Sequence, residues 1–276
     1  MPQTDQVNST QIGPTTGSLV LVGGGRLKDP TILHRFVTLA GGPSAPIVIV
    51  PTAAEEDYYG PYSPYLENLV AVGASQFTVL HTRDRKEADS VEFVRPLEEA
   101  QGVWFSGGRQ WRLADSYLHT RTHEALQDVL NRGGVLGGTS AGATILGDFL
   151  VRGDTAGNEL MIGDHQKGFG FLSNVTVDQH LLRRNRQFDL IAVIKEYPHL
   201  LGIGIDEDTA IVVRGNHFEV IGNSYVAIYD AESQIDPDGL FYFLAPGDRF
   251  DMHTRETIHS SRDYTSTERV IKRSWN

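Results

Sequence analysis

Arg132-Gly133-Gly134-Val135-Leu136-Gly137-Gly138-Thr139-Ser140-Ala141-Gly142-Ala143-Thr144-Ile145-Leu146 is the stretch on which the fold turns. Gly133-Gly134 ends a helix, Val135 and Leu136 open a short buried strand, and the residues after Ser140 start a new helix. Gly138 to Gly142 fits the pattern G-x-S-x-G, whose serine sits at the tip of a strained strand-to-helix turn with its hydroxyl clear of the sheet. Glycines on either side let strand and helix approach closely. The new helix aims unpaired N–H groups at any negative charge that develops there. In a chain with 29 glycines, a Gly-rich turn carrying a solvated serine meets the pattern equally well. The strand before it and the helix after it favour a nucleophile at Ser140.

Working outward, Ser18 to Val22 and Ile47 to Val50 are continuous apolar runs of the kind buried on both faces of a parallel sheet. Phe77 to Leu80 and Gly102 to Phe105 supply two more strands. Helices are predicted over 30–40, 64–72, 111–131 and 188–196. The βαβαβ alternation implies a parallel sheet with helices on both faces and right-handed crossovers. Gly-rich turns follow three strands, at 23–25, 107–108 and 137–142, and should crowd around one cleft at the carboxyl edge of the sheet. The first lacks the G-x-G-x-x-G continuation, so it reads as a tight turn rather than a nucleotide loop. Residues 152–173 are polar, Gly-rich and of no clear period, a loop long enough to suggest function. Further on, residues 174–179 alternate as a strand, Leu201 to Ile205 is another, and 210–213 with 218–221 flank a hairpin turn. Tyr225 to Tyr229 reads as one more strand, and the last thirty residues as polar with an edge hairpin. Residues 1–17 read as a disordered tail, leaving 18–276 as a single α/β domain.

Composition narrows the function. The 276-residue chain has no cysteine, which excludes disulfides, thiolate metal sites and a thiol nucleophile. Its net charge of −11, with no Lys/Arg block, argues against nucleic acid. No apolar run reaches the ~18–20 residues of a membrane span, and the start has neither a basic region nor an apolar core. A cytoplasmic protein is expected, with no metal or cofactor.

A serine needs a base to take its proton and a third group to orient that base. Among the 10 histidines, His180 stands out because it follows a predicted strand and precedes Arg183, Arg184 and Arg186. Glu207 ends the strand at Ile205 and is the candidate orienter. Asp206, Glu207 and Asp208 can also be read as a solvated acidic loop, although they lack the spacing of a calcium loop.

Phe105-Ser106-Gly107-Gly108-Arg109-Gln110, Gly138 to Ala143, Asp178-Gln179-His180 with its arginines, and Gly202 to Ala210 together resemble the cyanophycinase group of the S51 serine peptidases. The likeness runs from about residue 18 to 230, with all four blocks in order. It implies a flavodoxin-like three-layer sandwich similar to the class I glutamine amidotransferases, with a mostly parallel sheet. It also implies a triad of Ser140, His180 and Glu207, in an order that differs from that of α/β-hydrolases. An oxyanion hole from the N–H groups of Gly107, Gly108 and Ala141 is implied too. Gln110, Asp178, Gln179, Arg184 and Arg186 match substrate-binding positions, with the arginines suited to carboxylates and Asp178 to a cation. The implied substrate is cyanophycin, a poly-aspartate with arginine on each side chain, cut to β-Asp-Arg dipeptides. A homodimer is suggested by resemblance alone. Two departures stand out. Arg109 replaces an aspartate of the usual pattern, and Asp189 replaces an arginine, reversing a charge at a substrate-facing position. On this reading, Asp189→Arg should leave polymer cleavage intact or improve it. The rival readings are an isoaspartyl dipeptidase and a non-catalytic binding homologue.

Overall fold

In the computed structural model the described residues are 11–27, 29–55, 64–231 and 241–260. Their elements, in chain order, are β1 (Ser18–Val22), α1 (Thr31–Leu39), β2 (Pro46–Val50), α2 (Pro64–Ala71), β3 (Gln76–Val79), α3 (Arg85–Ala88), α4 (Val91–Glu99), β4 (Gly102–Phe105), α5 (Gln110–Tyr117), α6 (Arg121–Asn131), β5 (Val135–Thr139), α7 (Ala141–Thr144), β6 (Gly147–Phe149), β7 (Leu172–Gln179), α8 (Asp189–Glu196), β8 (Leu201–Ile205), β9 (Thr209–Arg214), β10 (His217–Gly222), β11 (Val226–Tyr229), β12 (Tyr242–Leu244), β13 (Arg249–Asp251) and β14 (Glu256–Ile258).

The strands form two sheets rather than the one expected. The larger has nine strands in the order β14-β13-β10-β9-β1-β5-β4-β2-β3, and the smaller has five in the order β12-β11-β8-β7-β6. In the larger, β1, β5, β4, β2 and β3 run parallel, and β9 joins β1 antiparallel. In the smaller, β6, β7 and β8 are parallel, with β11 and β12 antiparallel at the margin. The chain crosses between the sheets at β5–β6, β8–β9, β10–β11 and β12–β13. The first two crossings hold Ser140 and Glu207.

Alternation along the parallel strands explains the layers. Val20, Val22, Ile47, Ile49 and Trp104 point to α1, meeting Ile32, Leu33, Phe36 and Val37. Leu19, Leu21, Val48, Val50, Val103 and Leu136 point the other way, into a core shared with Leu97 of α4, Leu113 of α5 and Leu126 of α6. Val175, Val177, Ile203 and Ile205 of the smaller sheet belong to that same core, so the two sheets are packed together through it. On the smaller sheet's other face lie Leu190, Val193 and Ile194 of α8. Burying some seventy apolar side chains in this way at ~25 cal/mol per Å² is the main force holding the layers.

Several expectations change. The helix predicted over 111–131 is two helices. Tyr117 ends α5, His119 takes a left-handed φ of 59°, and the Thr120 hydroxyl donates to the Tyr117 carbonyl at 2.7 Å. Helices α3 and α4 were not expected, although Asp84 and Ser90 cap them by accepting from Lys86 N and Phe93 N. Of the tail expected over 1–17, residues 1–10 lie outside the described residues, but 11–17 are held against the fold, with Thr15 and Thr16 exposed. Ile12 donates its N–H to Asn216 Oδ1 and accepts from Ser173 N, each at 2.8 Å. The C-terminal edge hairpin is β13–β14, on the margin of the larger sheet. Among the described residues no helix is long and apolar enough to cross a membrane.

Candidate active site

Because β1, β5 and β4 are neighbours, the glycine turns that follow them lie side by side. Ser140 occupies the tip between β5 and α7 with φ 56° and ψ −117°, a strained pair of angles for a residue with a side chain. The strain is held by its surroundings. Ser140 N donates to Val22 O at 2.9 Å, and Ala143 N donates to Ser140 O at 2.9 Å. A methyl on Gly138 would come within 2.2 Å of Gly142 O, and one on Gly142 within 2.4 Å of Phe105 O. Both glycines of the motif are therefore required by close backbone approach.

His180 directly follows β7 with φ 56°, its N–H donating to Gly23 O at 2.8 Å. Its ring joins the two crossings. A carboxylate can only accept, so the proton lies on Nδ1, which donates to Glu207 Oε1 at 2.7 Å. Nε2 is then free to accept from the Ser140 hydroxyl at 2.9 Å. Ser140, His180 and Glu207 thus form one hydrogen-bonded line. Burial first, and the Arg184 charge second, hold the His180 pKa below the ordinary histidine range against the opposing pull of Glu207. The ring is therefore neutral at neutral pH. The carboxylates beside Glu207 are occupied elsewhere. Asp206 accepts from Leu182 N, Arg183 N and Ser224 Oγ, while Asp208 accepts from Leu27 N.

The sequence reading placed Gly23-Gly24-Gly25 at the cleft but gave it no part in seating Ser140, His180 and Glu207. The turn is tight, as expected, but it also seats the catalytic candidates. A methyl on Gly23 would collide with Ile205 O, and one on Gly25 with Asp208 Oδ1. A glycine run where three chain segments converge was the available signal. Gly107 and Gly108 follow β4, which pairs with β5 through Phe105 and Gly138. A methyl on Gly108, at φ 145°, would collide with Ala53 O, the carbonyl to which Arg109 N donates at 2.8 Å. Ala141, the first residue of α7, has an N–H with no acceptor inside so short a helix.

The residues expected to bind substrate divide into two groups. Arg184 is exposed beside His180. The others are engaged within the protein. Gln110 donates through Nε2 to Val151 O at 2.8 Å. Arg186 donates to Gln179 O and Oε1 at 3.1 and 2.8 Å. Asp178, expected to face a substrate cation, is wholly buried and takes both arms of Arg152, from Nε at 2.8 Å and Nη2 at 3.0 Å. Arg152 also reaches Asp189 Oδ2 at 2.6 Å. The charge reversal at 189 is therefore answered inside the chain. An arginine there would set two guanidinium groups side by side, so the gain first expected from Asp189→Arg becomes an expected loss. The other departure, Arg109, donates to Asp154 O at 2.6 Å. Both departures hold the same segment, the irregular stretch from 152 onward. Sequence reasoning missed Arg152 because its partners lie far along the chain. Among the described residues no cluster of three or more His, Cys, Asp or Glu side chains could hold a metal ion.

A sequence profile of Peptidase family S51 matches residues 19–221, and the chain belongs to that family. It is a serine-type peptidase similar to the cyanophycinases. The cyanophycinase of Geminocystis herdmanii is 32% identical over 263 residues, covering 87% of this chain and 96% of that one. The cyanophycinase of a Nostoc species is 33% identical over 268 residues, covering 88% of each. Among solved structures, a peptidase from an acI-B1 Actinobacterium superposes with a TM-score of 0.64 at 26% identity, over 90% of this chain and 99% of the other. A putative peptidase E from Listeria monocytogenes shares the fold, with a TM-score of 0.55 at 16% identity, over 76% of this chain and all of the other.

Proposed function

We propose that this peptidase is an exopeptidase acting at β-linked aspartyl residues, with cyanophycin as substrate and β-Asp-Arg dipeptides as product. The observation that carries the reading is the hydrogen-bonded line from Ser140 Oγ through His180 to Glu207 at 2.9 and 2.7 Å. Ser140 attacks the scissile carbonyl and its proton passes to His180 Nε2. Glu207 holds the Nδ1 tautomer and stabilises the imidazolium that forms. The N–H groups of Gly107, Gly108 and Ala141 take the oxyanion, each donor of this kind being worth roughly 2.7–4 kcal/mol at the transition state. The imidazolium then protonates the leaving amine, and water repeats the sequence to free the acyl group. The exposed Arg184 supports a substrate bearing a free carboxylate, and the similarity to proteins named cyanophycinase supports the polymer.

The test is to incubate the protein separately with cyanophycin, β-Asp-Arg, other isoaspartyl dipeptides and ordinary α-Asp dipeptides, following products by mass spectrometry. Release of β-Asp-Arg from the polymer is expected. Free aspartate from dipeptides, with polymer untouched, would make it an isoaspartyl dipeptidase. Inertness towards every β-aspartyl compound would discard the substrate assignment.

A further inference from the structure

Arg184, the exposed charge beside His180, lies on one short stretch, residues 178–189, which leaves β7 and enters α8. That stretch carries Gln179 at the end of β7, then His180, Arg184 and Arg186 in irregular backbone, with Asn185 in the left-handed region. Its middle is held by Asp206, which accepts from Leu182 N and Arg183 N at 3.0 and 2.9 Å. Its two ends are Asp178 and Asp189, and both bind one guanidinium, that of Arg152.

We infer that Arg152 is the positioning residue of this stretch, setting the place of Arg184 for a substrate carboxylate. The inference rests on the reading given under Proposed function and deepens it. Arg152 is 1% exposed and itself takes a left-handed φ of 55°. Every face of its guanidinium is used. Nε and Nη2 form a two-pronged bond to Asp178, Nη2 also reaches Asp189, and Nη1 donates to Asn158 O at 3.0 Å. Its own N–H donates to Met161 O. One side chain therefore ties the end of β7, the start of α8 and the loop over 152–161 into a single frame. A lysine could not do this, since it offers a point charge rather than a planar fork. Two carboxylates around one cation would repel each other if the cation left, so the ends of the stretch would part. The Arg152 guanidinium bonds Asp178, Asp189 and Asn158 rather than Ser140, His180 or Glu207, so it acts on the placement of other groups.

The ion pair with Asp178 is fully buried, and removing Arg152 outright would leave an uncompensated buried charge and endanger the fold. Asp189, at 38% exposure, is the safer end to cut. The experiment compares Ser140→Ala with Ser140→Ala/Asp189→Asn and Ser140→Ala/Asp189→Glu, using β-Asp-Arg as the probe. Affinity is read by calorimetry and backbone opening by hydrogen exchange. Asp189→Asn is expected to weaken binding about tenfold, the size typical of coupling within one ion-pair network. It should also speed exchange at the amides of 180–187 while β7 and β8 stay protected. Asp189→Glu should recover both. Unchanged affinity with unchanged exchange would overturn the inference. Weaker binding without faster exchange would overturn it too, because Asp189 would then touch the ligand itself. If the parent Ser140→Ala protein binds no β-Asp-Arg at all, the substrate reading fails, and the exchange rates decide alone whether Arg152 holds the stretch.

Discussion

Gly24 lies against the imidazole of His180: a methyl built on it would sit 2.3 Å from Cε1 and 2.6 Å from Nδ1. Its φ of 113° already disfavours any side chain. Gly24→Ala must therefore push the ring off the line between Ser140 and Glu207. We expect turnover to fall by about 10²-fold, the usual penalty for misplacing a reacting group by an ångström, with the far-ultraviolet circular dichroism unchanged. Full activity in this variant would show that the ring does not need its present seat.

Ser140 should be the residue that reacts covalently. A fluorophosphonate or sulfonyl fluoride should label it alone, and Ser140→Ala should abolish both labelling and turnover while keeping the fold. Peptide mapping that found the label on another serine would remove Ser140 from the mechanism.

Glu207 should matter far more than its acidic neighbours, since it alone of the three carboxylates bonds the His180 ring. Glu207→Gln should lower kcat by on the order of 10⁴, the loss seen when the acid of a serine triad becomes an amide. Asp206→Asn and Asp208→Asn should cost activity mainly through stability, because those carboxylates receive backbone N–H groups. Equal losses of kcat in all three would contradict this division.

The acid limb of kcat/KM should lie below the ordinary histidine pKa of about 6.5. The base must be neutral to act, and burial together with Arg184 depresses the His180 pKa. Activity is therefore retained as the pH falls through 6.5 and is lost only below it. Arg184→Gln removes one depressing charge, so its limb should move towards higher pH. A pH–rate profile of the two proteins decides the point, and a shift in the acid direction would refute it.

His165 should behave in the opposite sense. Its Nδ1 meets Asp164 Oδ1 and its Nε2 meets Asp115 Oδ1, each at 2.8 Å, so both contacts are hydrogen bonds only while the ring is protonated. Burial opposes protonation, but the two carboxylates outweigh it and raise the pKa. Asp164 is itself lowered to about 2, by the Thr155 hydroxyl first and His165 next. Arg85, His119 and Lys167 line the same groove. The clamp joins the 152–168 loop to α5. Its contribution is complete below the unfolded pKa of about 6.5 and fades as pH rises through the raised folded value. Amides of 153–166 should exchange faster above that pH, beyond the ordinary base-catalysed trend, and Asp115→Asn should bring the transition to lower pH. A His165 pKa at or below 6.5 by NMR would rule out the clamp.

The elements legible in the sequence were those with a local signature. The runs at β1, β2, β4 and β8 are apolar throughout, and the glycines flanking Ser140 announce their turn. The division into two sheets was not legible, because Leu201 to Ile205 would read the same in either sheet and only long-range pairing decides. Nor was the break at Leu118 to Thr120, which has neither glycine nor proline. Helix α4 was masked by Pro96 within it, although Ser90 was a visible cap. Within the site, Ser140, His180 and Glu207 each follow a strand and could be named from that position. Arg152 has no such marker, since its carboxylate partners stand 26 and 37 residues away.

Ser140 hangs from the larger sheet, whereas His180 hangs from the smaller, and Glu207 sits on the link between them. No backbone ladder joins β5 to β7, so the 2.9 Å between hydroxyl and imidazole is fixed by two single backbone bonds to the end of β1, Ser140 N to Val22 O and His180 N to Gly23 O, and by side chains such as Leu21, Ala143, Val177 and Ile205 packed in the shared core. A slip of one sheet past the other need break only the bond from His180 N to Gly23 O, and it would leave every strand intact while carrying Ser140 out of reach of His180. Under gentle heating or dilute urea, we expect hydrolysis to stop while the circular dichroism still reports a folded protein, and to resume on cooling or dilution. The enzyme would thus serve as a gauge of its own alignment, finer than any spectroscopic measure of its strands.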